Sequence, residues 1–152
     1  MGADLYMLGA YNKRLQSIQP ELEEVLTKLD YYIKYSDEYE KAEKDYITLL
    51  DKLHHGVYFR DSYNCKSIAW SLDLSWWIDI YPMLDKDFKL SKHQTHELIK
   101  LIKTKDVRID ENSLEYFKST KEARGYFYDK KAQLLSFLNR AIDNDDEIFC
   151  SL

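Results

Sequence analysis

The chain has 152 residues, 45% hydrophobic and 32% charged, with four glycines and two prolines; this fits one domain with its own core and excludes disordered, collagen-like and turn-rich β-sandwich classes. Twenty-two basic against 27 acidic side chains give a net charge of −5. The basic residues are interspersed with acidic ones, so there is no stripe to neutralise phosphates, and direct nucleic-acid binding is not expected.

The first clear helical pattern starts near Pro20, read as an early helical residue, and runs to about Tyr35 through Leu22, Val25, Leu26, Leu29 and Ile33. A second stripe, Tyr39, Ala42, Tyr46, Leu49, Leu50 and Leu53, is out of phase with the first. Ser36 and Asp37 sit at the slip, where either could cap a new helix. Gly56 is a stop signal, with His54 and His55 in the preceding turn. The next stretch, Gly56 to Asn64, reads as a structured loop.

From Ile68 to Ile80 the pattern is ambiguous. Ile68, Trp70, Leu72, Leu74, Trp76, Ile78 and Ile80 alternate as in a strand, but thirteen residues is long for one. No second strand-like segment is evident to pair with it. Ser67, Ser71, Ser75 and Asp79 form an i, i+4 row, so a buried helix with one narrow polar edge is expected, with a possible restart at Ser75. Pro82 ends it. Ser91 with Gln94 then predicts a capped helix from Lys92 to about Lys103. Asp110 caps the next element, and Ser119 with Glu122 opens a long helix to about Asp143. The expected fold is all-α: a single-domain bundle, residues 1–152, of about five to seven helices around a buried Trp-rich central helix.

Few residues offer chemistry. His93 and His96 lie one turn apart beside Glu97, but they share a polar face and lack a third ligand, so no metal or other cofactor is expected. No GxSxG, glycine-rich phosphate loop or Cys–His pairing is present, which argues against an enzyme. Cys65 and Cys150 fit free thiols in a reducing cytoplasm, in a chain without a signal-peptide pattern. No apolar run is long enough to span a membrane.

The segment Tyr58 to Asn64 concentrates the candidates. Tyr58, Arg60, Asp61, Tyr63 and Asn64 bring a guanidinium, a carboxylate, two phenols and an amide together. The favoured reading is that the same residues serve the fold, with Asp61 or Ser62 capping the next helix, Arg60 paired internally and the aromatics in the core. Lys131 falls inside the apolar stripe of Phe127, Leu134 and Leu138, where it would snorkel or meet Asp61 or Asp79. Trp77 is a further candidate contact.

MGADLY at Met1–Tyr6, GVYFRDSYN followed by LSWW at Leu74–Trp77, and the C-terminal CSL together resemble an uncharacterised family of small helical proteins from bacteria and their phages. Its motifs are MGAD with Leu or Met and Tyr, then GYFRDSYN before LSWW. This chain departs from them in carrying Val57 between Gly56 and Tyr58. The resemblance implies a cytoplasmic, phage-associated protein acting on a host component. Two functions stay open. One is a non-enzymatic module binding a protein partner through Tyr58, Arg60, Tyr63 and Trp76 or Trp77. The other is a pocket for a small, nucleotide-like anion held by Arg60 and Lys131, with Tyr63 or a Trp stacking on its ring.

Overall fold

A computed structural model describes residues 2–152. The all-α expectation is wrong: helices account for 62% of the chain, but a four-stranded antiparallel sheet adds 11%. Strand β1 (Gly2–Met7) is followed by α1 (Leu8–Tyr31), α2 (Asp37–His54) and β2 (Tyr58–Ser62). Then come the one-turn α3 (Ile68–Ser71), a π-helical turn (Trp76–Ile80) and a 3-10 turn (Tyr81–Met83). The chain finishes with β3 (Lys89–Leu90), α4 (Lys92–Lys103), α5 (Glu111–Leu114), α6 (Thr120–Asp143) and β4 (Ile148–Ser151).

Two compact units divide these elements: residues 2–8 with 58–152, and residues 9–57. The second is a helical hairpin. Helix α1 begins twelve residues before Pro20, which lies in the helix interior rather than near its start. A proline there removes one hydrogen bond from the ladder. The expected break before Asp37 is real: Ser36 Oγ accepts from the Tyr39 amide at 3.2 Å and caps α2. The base is tied by Arg14, whose guanidinium donates to the carbonyls of Lys52, at 3.3 Å, and His55. A cation there meets the negative end of the α2 dipole. Gly56, at φ 71°, makes the turn that leaves α2.

In the larger unit the sheet order is β2-β1-β4-β3, with every neighbouring pair antiparallel. Strand β1 alternates strictly, with Ala3, Leu5 and Met7 buried and Gly2, Asp4 and Tyr6 on the other face. Phe59, Asp61, Ile148 and Cys150 extend the buried face. Helix α6 packs against β2, with the Phe59 and Phe137 rings 6.2 Å apart, and also packs against α3 and α4. One sheet face covered by helices is a two-layer α+β solution. Gly2 is demanded by close approach, because a Cβ there would overlap the Asp61 carbonyl oxygen.

The capping signals are realised. Ser91 Oγ, Asp110 Oδ1 and Ser119 Oγ accept from the amides of Gln94, Ser113 and Glu122 at 3.2, 2.7 and 3.1 Å. The buried, Trp-rich central helix does not exist. Its residues are split between α3 and the π-helical turn, separated by Asp73 in the left-handed region at φ 56°. Of the three tryptophans only Trp76 is buried.

Candidate functional site

The expected loop from Tyr58 to Asn64 is mostly strand β2, and strand geometry separates its candidates. Successive side chains point to opposite faces, so Asp61 is inside while Arg60 is outside. Arg60 and Asp61 therefore do not face one cavity.

Asp61 is fully buried and saturated. Its carboxylate accepts from Ser67 Oγ at 2.7 Å, the Ile68 amide at 2.8 Å, the Ala69 amide at 3.2 Å and Trp76 Nε1 at 2.8 Å. Lys130 Nζ stands 3.9 Å away. The expectation that Asp61 caps the next helix is met from a distance: it takes the first amides of α3, while Ser67 Oγ accepts from the Trp70 amide at 3.2 Å. A buried carboxylate is tolerated when donors satisfy it on every side. Asp61 thereby holds β2, α3 and the π-helical turn together.

Of the two alternatives for Lys131, snorkelling or meeting Asp61 or Asp79, the second does not occur: its neighbour Lys130 faces Asp61, and Lys131 donates to the Lys105 carbonyl at 2.5 Å. Asp79 accepts from the Ser75 amide at 2.7 Å, and Ser75 Oγ accepts from the Ile78 amide at 3.3 Å. That reciprocal pair caps the π-helical turn, so the restart read at Ser75 is correct.

On the outer sheet face, the Tyr58 hydroxyl donates to Asp4, and Arg60 Nε lies 3.7 Å from the same carboxylate. Burial, then the bond to Asp4, pushes the Tyr58 phenol up to about 12. The Tyr6 ring is tilted against those of Tyr58 and Phe149, with centroids 5.1 and 6.1 Å away. Asn64 forms a local turn, its Oδ1 accepting from the Lys66 amide at 2.9 Å.

Tyr63 and Trp77 do come together, in a different setting. Beside α3 and the π-helical turn a cleft of about 420 Å³ is lined by Tyr63, Ser67, Ala69, Trp70, Leu74, Ser75, Trp76 and Trp77. Neither Arg60 nor Lys131 lines it. The Tyr63 hydroxyl is buried and lacks a hydrogen-bond partner among the described residues. Its pKa is raised by burial first, and then by the charges of Asp4 and Asp61.

From the cleft a row of rings continues across the surface. Tyr63 to Trp77, Trp77 to Tyr81 and Tyr81 to Phe88 are spaced 6.3, 5.7 and 6.2 Å between ring centroids. Trp70, Trp77, Tyr81 and Phe88 are 51, 52, 42 and 47% exposed, and Ile78 is 77% exposed. Large apolar side chains gathered this way mark a contact surface more than scattered exposed residues do.

Sequence reasoning missed Trp70, Tyr81 and Phe88. A signal was present: three capping-type serines, Ser67, Ser71 and Ser75, with Asp73, Asp79 and Pro82 within sixteen residues. Such density of caps and breakers is incompatible with one long buried helix.

Phe88 has a second peculiarity, its backbone being left-handed at φ 59°. That is strained for a bulky residue. The conformation is held because the Phe88 amide donates to the Asp85 carbonyl at 3.1 Å and its carbonyl accepts from Cys150 at 2.9 Å.

Among the described residues no cluster of three or more His, Cys, Asp or Glu side chains could hold a metal, and no helix is long and apolar enough to cross a membrane. Compared with protein-family models, curated proteins and solved structures, the chain finds no match.

Proposed function

We propose that this protein is a non-enzymatic interaction module that engages a protein partner through the aromatic face formed by the Tyr63–Trp77 cleft and the ring row to Phe88. The observation that carries the reading is the exposure of Trp70, Trp77, Tyr81 and Phe88 at 42–52% on one continuous surface. Tryptophan and tyrosine combine large contact area with few rotatable bonds, and they dominate the energetics of protein interfaces. The polar candidates of β2 support the reading by being engaged elsewhere: Asp61 organises the core, and Arg60 sits with Asp4. A small-anion pocket would need free cations at the cleft, and Arg60 and Lys131 stand outside it. The resemblance carried by MGADLY, GVYFRDSYN and LSWW accords with a cytoplasmic bacterial or phage protein directed at a host component.

Affinity capture from cells expressing the tagged protein tests this. Wild type and Arg60→Ala should retain the same partners, and Trp77→Ala/Tyr81→Ala should lose them. Retention of those partners by the double variant would overturn the aromatic face as the contact surface.

A further inference from the structure

We propose a second contact surface, separate from the aromatic face: one flank of the α1–α2 hairpin receives a basic amphipathic helix of a partner protein, which completes a three-helix bundle. The hairpin's own seam defines that flank. Leu15, Ile18, Leu22, Val25 and Leu29 of α1 alternate spacings of three and four, as do Tyr39, Ala42, Tyr46, Leu49 and Leu53 of α2. Val25, Ala42, Leu49 and Leu53 are buried along the seam.

The two sides of the seam differ in chemistry. On one, the crevices between the helices are lined by Glu21, Lys28, Lys41, Asp45 and Lys52, charges of both signs. Lys28 also pairs with Glu24 at 2.6 Å. On the other side, at about 100° per residue, α1 places Leu26 next to Leu22 and Leu29, and α2 places Ile47 and Leu50 next to Tyr46. Ile33 follows one heptad after Leu26, just beyond the end of α1. Leu26, Ile33 and Ile47 are 42, 83 and 52% exposed, and Leu50 is half-buried. Two helices close only one seam, so an apolar flank of this kind needs a further helix to cover it.

Charge selects the occupant. The apolar flank is bordered by Glu23, Asp30, Glu40 and Glu43, and within α1 and α2 no Lys or Arg falls on it. Lys44 lies further round, on the outward side of α2, and Lys34 sits over the Tyr35 ring at 5.4 Å. Among the described residues none of the four carboxylates is in an ion pair. Glu23 accepts from the Gln19 side-chain amide at 2.9 Å, a neutral donor that leaves its charge in place. A second copy would bring the same carboxylates face to face, whereas Lys or Arg beside an apolar stripe meets them with opposite charge. The occupant is a helix because the flank offers no strand edge to extend. Its ridge of Leu22, Leu26 and Leu29 has the spacing into which a helical partner's i, i+4, i+7 anchors interdigitate. Helix α2 has 18 residues, so an occupant of about five turns spans it.

Fluorescence anisotropy at physiological salt tests the assignment with three labelled peptides. They are repeated Leu-Lys-Lys-Leu-Leu-Lys-Leu, the same composition reordered so that the leucines share no helical face, and the first with Glu for Lys. The first should bind about ten-fold or more tighter than either control. Leu26→Gln/Ile47→Gln should weaken it about ten-fold and Glu40→Gln/Glu43→Gln about three-fold, with the protein's circular dichroism unchanged. Trp77→Ala should leave it as in wild type, which separates this flank from the aromatic face. Equal affinity for the reordered peptide would reduce the effect to charge and overturn the proposal. So would no binding by the first peptide, or binding indifferent to either double variant. Sedimentation equilibrium of the protein alone checks the remaining occupant: a dimer that Leu26→Gln/Ile47→Gln dissociates would give the flank to a second copy and overturn the basic-helix assignment.

Discussion

Strand β2 and the stretch from Ile68 to Phe88 are neighbours in the chain, and each departs from what its composition suggests. Tyr58–Ser62 is rich in the groups that bind ligands, yet its carboxylate is buried and its phenol and guanidinium close on Asp4. Ile68–Phe88 is rich in the side chains that build cores, yet two of its three tryptophans, with Ile78, Tyr81 and Phe88, face solvent. Asp61 connects the two: by accepting from Ser67, Ile68, Ala69 and Trp76 it fixes the irregular backbone that turns those rings outward. Polarity alone is thus a poor guide to which residues the fold leaves exposed. What decides is whether each group's hydrogen-bonding needs are already met inside the fold.

The largest test of this contrast sets Asp61 against Trp77. Asp61→Ala strands an indole N–H, a hydroxyl and two amides in the interior, each costing about 1–3 kcal/mol unless relaxation relieves it. It also leaves Lys130 beside an apolar gap. A loss of about 4 kcal/mol or more is expected in urea denaturation, enough to unfold a marginally stable domain. Trp77→Ala should cost about 1 kcal/mol or less, because its ring is half in water already. If the two losses are similar, Trp77 is a core residue and the contrast between the regions fails.

A smaller, opposite-signed effect is expected at Phe88. Asparagine adopts the left-handed region readily, whereas a bulky side chain there is strained. Phe88→Asn should therefore leave stability unchanged or raise it by about 0.5–1 kcal/mol, while weakening partner binding. Such a trade-off is the mark of strain kept for function. A clear loss of stability instead would make the Phe88 ring a packing element and shorten the contact row to Tyr81.

Capping chemistry was the legible part of this fold, since it acts within four residues: Ser36, Ser75, Ser91, Asp110 and Ser119 all cap where their spacing indicates. The sheet was not legible, for a physical reason. Strands β3 and β4 are only two and four residues long and β2 places a carboxylate on the buried face, so alternation is short in two strands and masked in a third; β1 alternates strictly over six residues, but as a single segment whose partners carry no such pattern. Partners far apart in sequence, Asp4 with Arg60 and Tyr6 with Phe149, complete what no local pattern contains. The strongest strand-like alternation, Ile68 to Ile80, belongs to no strand. There Ile68, Leu72, Leu74, Trp76 and Ile80 are buried on or between two short helical turns separated by caps, while Trp70 and Ile78 are exposed. Of the candidate site, Tyr63 and Trp77 do meet, but beside Trp70 and Leu74 rather than beside Arg60 and Asp61.

The finest test concerns whether the outer face of β2 belongs to the fold as firmly as its inner face does. Tyr58 is raised to about 12 by burial and then by its bond to Asp4, against about 10 in an unfolded chain. The native state keeps this proton where the unfolded state releases it. The stabilisation is therefore complete below about pH 10 and is lost as pH rises through about 12. Tyr58→Phe lacks this titration. Wild type should be the more stable protein near neutrality, through the Asp4 bond, and its advantage over the variant should shrink steadily above pH 10. Paired urea midpoints from neutral pH to about pH 12 measure it. An advantage that stays constant across that range would mean that Tyr58 ionises as freely in the fold as in the unfolded chain. The Tyr58–Asp4–Arg60 cluster would then be loosely held, and Arg60 would be available to a ligand after all.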